Sequence, residues 1–398
     1  MLVQFMVRNV LSFKEETIFD MTAINAYKEH ESNLIDIGYK EKFLKVAAIY
    51  GANASGKSNL YHAMDMFQEI VRKSMNNHSM YQSNAIEQHY LPFSFEKNEE
   101  KSEFQIIEIL DGYEYIYGFE YNRESILAEW LYMVNLKTNR KKIILERTED
   151  KVLFGASVRK ECAAFKDQIP AEALVLSFLS KLPKLKTKVF KNLYEGIMDT
   201  LVVPSNFGED KGILINILPE AIDDYKTELI EFLGAIDTGI KDIKYDDSEK
   251  KIRFTTFHVG VDRETYPLNL WRESEGTIKA IILFILAKKA MLNNRSIFID
   301  ELNIKLHPLL LKFIIDLFYK ENSEAQLIYT THDTTLLDKK FFRRDQIWFV
   351  QKDEFGYSKL TALSDFKVRS DASFEKDYLA GVYGGIPFLK DFKVKAGD

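Results

Sequence analysis

Apolar residues recur along this chain in two rhythms. Alternation at period two marks residues 103–110, 113–121, 126–135 and 142–146, and more briefly 91–95, and predicts the strands of an antiparallel sheet. The polar breaks between them include the turn signals Asp111-Gly112, Asn122-Arg123 and Thr138-Asn139. Residues 2–8 are mostly apolar with polar interruptions, and clear strand character returns at 43–49, a layout that suits a half-buried sheet edge leading to a buried strand. The stretch 75–88, rich in Asn, Ser and Gln without periodicity, predicts an exposed loop. From about 155 to 235 the rhythm turns helical, most clearly at 171–182 and at 184–201, the latter just after Pro183. Strands return at 240–245 and 252–258, followed by an apolar helix at 277–292. The run Ser296-Ile297-Phe298-Ile299-Asp300-Glu301 reads as a buried strand ending in two acids. A helix at 309–319 and strands at 326–330 and 346–350 complete the pattern, with no internal repeat or low-complexity tract.

With 398 residues, 46% of them hydrophobic, the chain can bury a large core as one elaborated domain or two lobes. A formal net charge of -6 provides no global basic field for nucleic acid, so any such contact must be local. The single cysteine, Cys162, leaves no disulfide within the chain, suits a reducing cytoplasm and reads as a buried filler. The N-terminal residues lack the order of a signal peptide, and the longest apolar run, 280–287, is far too short to span a membrane.

The apolar run Val46-Ala47-Ala48-Ile49 leads into Gly51-Ala52-Asn53-Ala54-Ser55-Gly56-Lys57-Ser58-Asn59, which contains the phosphate-binding pattern G-x-x-x-x-G-K-[ST]. Glycines at both ends let the backbone curl its N–H groups around a polyphosphate, Lys57 adds a positive charge, and the Ser58 hydroxyl can ligate Mg²⁺. Leu60, Met64, Phe67 and Val71 follow at helical spacing, which sets Gly56-Lys57-Ser58 at a helix N-terminus.

Asp300 and Glu301 end an apolar strand, where open α/β sheets place their ligands. A carboxylate there can hold Mg²⁺, and an adjacent one can orient and deprotonate an attacking water. The plainer alternative is a surface Asp-Glu pair opening a helix. Thr330-Thr331-His332-Asp333 repeats the arrangement and would bring His332 to the same edge as a γ-phosphate sensor. His307, before Pro308, reads as a helix cap. Ser274-Glu275-Gly276-Thr277 opens the apolar helix, whose exposed N–H groups would favour an anion.

In this order, the P-loop, the Ser-x-Gly turn, Asp300-Glu301 and Thr331-His332 resemble the motifs of ABC-type ATPase heads. The wide gap between P-loop and Asp300, and the opening Phe5-Met6-Val7-Arg8-Asn9-Val10-Leu11-Ser12-Phe13, resemble the SMC, RecF and OLD branch. More narrowly, the chain is similar to RloA-like ATPases through residues 51–59, Glu129-Trp130-Leu131-Tyr132, 273–277, 300–308, 326–333, 344–349 and Tyr383-Gly384-Gly385-Ile386-Pro387. The resemblance implies an α/β ABC-type head with an antiparallel β subdomain and an inserted helical lobe. It divides as an N-terminal ATPase lobe 1–150, a helical insertion 151–237 and a C-terminal ATPase lobe 238–398.

It further implies an ATP- and Mg²⁺-dependent hydrolase. Gly51 to Asn59 bind nucleotide, Ser58 and Asp300 hold the metal, and Lys57, Glu301 and His332 serve catalysis. Two heads would pack head to tail, so that Ser274, Glu275 and Gly276 of one meet the γ-phosphate held by the other. Glu273 and Glu275 stand where transporter signatures have Leu and Gly, and Lys305 departs from relatives at the expected dimer seam. Gln82 and Gln88 are the candidates for a glutamine loop, each otherwise reading as a plain loop residue. OLD-type relatives carry a Toprim nuclease. Here Asp365, Asp371 and Asp377 are too dispersed for one, so an effector would be a separate protein, and the RloA-like resemblance implies a role in anti-phage defence. A repair ATPase of the RecF or SMC sort, or a nucleotide-gated scaffold with negligible turnover, are the competing readings. Lys181, Lys184, Lys186, Lys188 and Lys191 could bind a phosphate backbone or an acidic partner, or form only a solvated helix face.

Overall fold

The structure is a computed structural model that describes residues 1–75, 84–96, 101–206, 211–248, 251–369 and 372–387. Strands β1 (Leu2–Arg8) and β2 (Thr17–Asp20) are followed by a short pair, β3 (Leu34–Ile35) and β4 (Phe43–Leu44), and then by β5 (Val46–Gly51) and α1 (Lys57–Lys73). After α2 (Ala85–Gln88) come β6 (Ser102–Leu110), β7 (Tyr113–Tyr121), β8 (Ile126–Asn135), β9 (Arg140–Thr148) and β10 (Lys151–Phe154). Helices α3 (Arg159–Cys162), α4 (Val175–Ser180) and α5 (Val189–Asp199) lead to β11 (Leu201–Val203) and α6 (Lys211–Ala235). Next are β12 (Ile240–Asp246), β13 (Arg253–Val259), β14 (Thr265–Asn269), α7 (Glu275–Asn293) and β15 (Ser296–Ile299). The last elements are α8 (Pro308–Lys320), β16 (Gln326–Thr331), β17 (Ile347–Lys352), β18 (Ser358–Ala362) and α9 (Phe374–Leu379).

Two large sheets result. One is antiparallel throughout, in the order β10-β9-β8-β7-β6-β1-β2. The other runs β11-β15-β16-β5-β17-β18 and is parallel except at its last pair. Successive side chains of a strand point to opposite faces, so this second sheet serves two cores. Ala47, Ile49, Phe298 and Ile328 face α1 and the antiparallel sheet. Val46, Ala48, Tyr50, Ile297 and Tyr329 face α6, α7 and α8. Phe67 anchors α1 to the antiparallel sheet, stacked on Phe119 at 5.7 Å and edge-on to Phe5 at 5.9 Å.

The α/β class and the antiparallel sheet match expectation, whereas several local readings do not. Residues 91–95 form no strand, because Pro92 has no N–H for a ladder; instead the Leu91 carbonyl and the Phe93 N–H bond to the turn after β1. Strand β1 is not a sheet edge but lies inside the antiparallel sheet, between β2 and β6. Helix α5 begins only at Val189. The stretch before it is no helix: 183–184 form a turn, the Thr187 N–H goes to the Glu161 carboxylate at 2.9 Å, and Lys184, Lys186 and Lys188 are exposed. Helix α4 is likewise shorter than the helical pattern 171–182, and the buried Glu129 carboxylate receives its Val175 and Leu176 N–H groups. Residues 84–88 contain a helix with Ala85 and Ile86 buried. Gln82 and Asp371 lie outside the described residues, and Gln88 is exposed at the end of α2. Cys162 is buried, and its thiol is pushed up to about 11 by burial.

Candidate functional site

Strand β5 delivers the P-loop from the centre of the parallel sheet, all six of its residues buried. The loop curls because Ala54 and Gly56 take positive φ, 61° and 110°. A Cβ at Gly56 would come within 2.1 Å of Ser358 Oγ, and one at Gly51 within 2.6 Å of the Val350 carbonyl oxygen, so both positions require glycine. The loop is buttressed from outside. Ser358 Oγ donates to the Ser55 carbonyl at 2.6 Å and lies 2.7 Å from Ser12 Oγ, which accepts from Asn59 Nδ2 at 2.7 Å. Lys57, 5% exposed, donates to the Gly51 and Ala52 carbonyls at 2.7 and 3.0 Å. Burial pulls its pKa below the usual lysine range, opposed by the charges of Glu301 and Asp300.

Three adjacent strand ends meet here. Register pairs Thr331 with Tyr50 and Ile299 with Tyr329, so β15, β16 and β5 terminate together. Asp300 is buried, its N–H held by the Val203 carbonyl of β11 at 3.0 Å. Its Oδ1 accepts from Ser58 Oγ at 3.2 Å and from Thr330 Oγ1 at 2.6 Å. Thr330 Oγ1 in turn accepts the Glu301 N–H at 2.7 Å. Glu301 sits at φ 47°, a left-handed conformation that costs a non-glycine residue about 1 kcal/mol and is found where surrounding structure enforces it. His332 is exposed; its Nε2 lies 3.4 Å from Asn303 Nδ2, and Asn303 Oδ1 accepts from Thr331 Oγ1 at 2.9 Å.

The Ser-x-Gly turn stands apart. Ser274 caps α7, its Oγ accepting the Thr277 N–H at 3.0 Å, and both Ser274 and Glu275 are exposed. Glu275 pairs with Lys305 at 3.0 Å, and a Cβ at Gly276 would approach the Lys305 carbonyl to 2.9 Å. The two sequence departures therefore differ. Glu273 turns away from the surface to accept from Thr256 Oγ1 at 2.5 Å and His258 Nε2 at 2.8 Å, while Glu275 stays at the helix start. His307 caps α8, with Nδ1 accepting the Leu309 N–H at 3.2 Å.

The residues fit Mg²⁺ bound beside a polyphosphate. Ser58 and Asp300 offer two hard oxygen ligands, as a site completed by phosphate and water requires, and among the described residues no cluster of three or more His, Cys, Asp or Glu forms an all-protein cage. Ser55 Oγ is buried in the loop and has no hydrogen-bond partner among the described residues. Beside the loop, Ser12 and Asn59 border a cavity of about 560 Å³ with Leu11, Tyr90, Phe93 and Phe95. Thr330, Ser12 and Asn303 stood inside motifs quoted from sequence but were given no role there, and Ser358 lay outside every motif. Of these, Thr330, two residues before His332 on the same strand end, carried the clearest signal.

A family described as "AAA domain, putative AbiEii toxin, Type IV TA system" matches residues 46–338, which take in the P-loop, Ser274, both acids and His332. None of the curated proteins matches. Among solved structures, an SMC head bound to the C-winged helix domain of ScpA is similar at 14% identity, covering 94% of this chain and 99% of that one, with a TM-score of 0.46. The SMC head domain from Thermotoga maritima is similar at 13% identity, covering 91% and 98%, with a TM-score of 0.42.

Proposed function

The chain belongs to this AAA-domain family, and from that premise we propose that it is an Mg²⁺-dependent ATP hydrolase that dimerises head to tail on ATP and controls a separately encoded effector in anti-phage defence. The carrying observation is the single hydrogen-bonded chain Ser58–Asp300–Thr330–Glu301, which ties the P-loop helix to two neighbouring strand ends. We further infer from the resemblance of its motifs that the chain is an RloA-like ATPase. In this reading residues 1–150 carry the P-loop, 238–398 the acids and the signature, and 151–237 an inserted lobe.

The P-loop N–H groups and Lys57 bind the β- and γ-phosphates, and the base takes the aromatic cavity beside Ser12 and Asn59. Ser58 and Asp300 hold Mg²⁺, which when bound neutralises phosphate charge. Glu301 orients the attacking water and takes its proton as the new O–P bond forms and ADP leaves. His332, placed by Asn303, senses the γ-phosphate. Ser274 and Gly276, exposed or half-buried at the start of α7, close over the partner's γ-phosphate, so that hydrolysis removes what holds two heads together.

The test is Mg²⁺-dependent phosphate release from ATP, with Glu301→Gln expected to lower kcat about a hundredfold or more while ATP binding persists. No release by the wild type, or equal release by the variant, overturns the enzymatic reading. The Glu275–Lys305 pair favours a second reading, a scaffold that ATP merely locks, because it sets an acid where the partner's phosphate would arrive. Size-exclusion with ATP against ADP separates the two: an assembly that forms without turnover is a scaffold, and one that decays with hydrolysis is a timer. Of a repair ATPase, the expected mark is ATP-stimulated DNA binding lost when Lys184, Lys186 and Lys188 are neutralised.

A further inference from the structure

Helix α7 is apolar from Ile278 to Ala287 except at Lys279, which is 1% exposed. Lys279 lies four residues after Glu275, hence on the same face of the helix. Both side chains meet the loop that follows β15, at its two left-handed residues. Lys279 Nζ is 3.5 Å from the Glu301 carbonyl, and Glu275 is 3.0 Å from Lys305 Nζ, with φ 47° at Glu301 and 61° at Lys305. The first two turns of α7 thus meet both bends of the segment that carries the second acid. A buried ammonium is an expensive way to fill this space. Burial brings the Lys279 pKa down to about 8, with the Lys305 charge pushing the same way and Glu301 opposing. An apolar side chain of similar length would fill it more cheaply.

We propose that Lys279 is a positioning residue for Glu301: its ammonium holds the Glu301 carbonyl, keeps the acid in its left-handed turn, and ties the Ser274-Glu275-Gly276 end of α7 to the catalytic acid of the same chain. This rests on the reading of Glu301 as the general base. It means that pressure on the signature turn from a partner-held nucleotide is felt at the Glu301 of the protomer that owns the turn. A lysine retained only for packing would have no such link.

The test compares Lys279→Met and Lys279→Arg with the full-length wild type in three measurements: ATP turnover, thermal midpoint, and amide hydrogen exchange across residues 300–306. Lys279→Met is expected to lower kcat roughly tenfold with KM for ATP nearly unchanged, as a small misplacement of a catalytic group does. Its melting temperature should hold or rise, because a buried charge is gone, and exchange at 302–306 should quicken while the P-loop stays protected. Lys279→Arg should recover most of kcat. Unchanged exchange in the loop, or a lowered melting point with parallel loss of ATP affinity, overturns the proposal. Faster loop exchange in a protein whose wild type releases no phosphate would leave the positioning contact standing and sink the hydrolase reading alone.

Discussion

The starts of α1 and α7 are both helix N-termini that the proposed mechanism turns toward a phosphate, yet they are built in opposite ways. At α1 the N-cap is Gly56, which has no side chain to satisfy the first N–H groups, and the loop around it is held from behind by Ser12, Ser358 and Asn59. At α7 the N-cap is Ser274, which spends its hydroxyl on Thr277, while exposed Glu275 is neutralised by Lys305. One end is preorganised for a ligand that its own chain supplies a site for; the other is self-sufficient until something outside displaces its contacts. That contrast is what a cis-binding loop and a trans-acting signature would need.

Three substitutions break or sharpen the contrast. The largest effect is expected at the α1 end, where Gly56→Val forces a branched side chain into φ 110° and against Ser358 Oγ. ATP affinity measured by calorimetry should fall roughly a hundredfold or more, and near-normal affinity would show that the loop can re-form without its glycine. At the α7 end, Ser274→Ala removes a cap and should cost about 1 kcal/mol in denaturant unfolding. It should leave ATP binding by the isolated head within about twofold while lowering turnover at protein concentrations that favour dimers. A matching loss of ATP affinity would place Ser274 in the cis site instead. The smallest effect is expected for Glu275→Ala, since the pair with Lys305 is 70% and 31% exposed at its two side chains. Stability should change by less than about 1 kcal/mol. ATP-driven assembly should strengthen if the carboxylate repels a partner's phosphate, and weakened assembly would make Glu275 a contact rather than an obstacle.

Much of this was legible in the chain because the signals were local. The P-loop spacing, the acids closing an apolar strand and the Ser-x-Gly turn before a helix each need only a few consecutive residues to declare themselves. Alternation located β6 to β9 for the same reason. Where reading failed, a distant partner had decided the outcome. β11 is three residues following a helical pattern, and only pairing with β15 makes it a strand; that pairing also brings Val203 to the Asp300 N–H. The lysines at 184, 186 and 188 sit in a stretch that looked helical, but a turn at 183–184 and the Thr187 N–H taken by Glu161 keep the helix from starting before Val189. Residues 91–95 alternate well enough for a strand, and Pro92 together with the turn after β1 claims them for a loop.

By itself the sequence determined which chemical groups are present and what backbone each rides on, since helix and strand periodicities and phosphate-loop geometry depend on neighbouring residues alone. Only the tertiary structure decided which strand ends lie side by side, that Thr330 links Asp300 to Glu301, and that Lys279 reaches the Glu301 carbonyl. Those contacts join residues about thirty or fewer positions apart between Lys279 and Thr330 and, at Ser58–Asp300, across 242 positions. They arise from burying two faces of one sheet against different helices, a condition on the whole chain that no local pattern records.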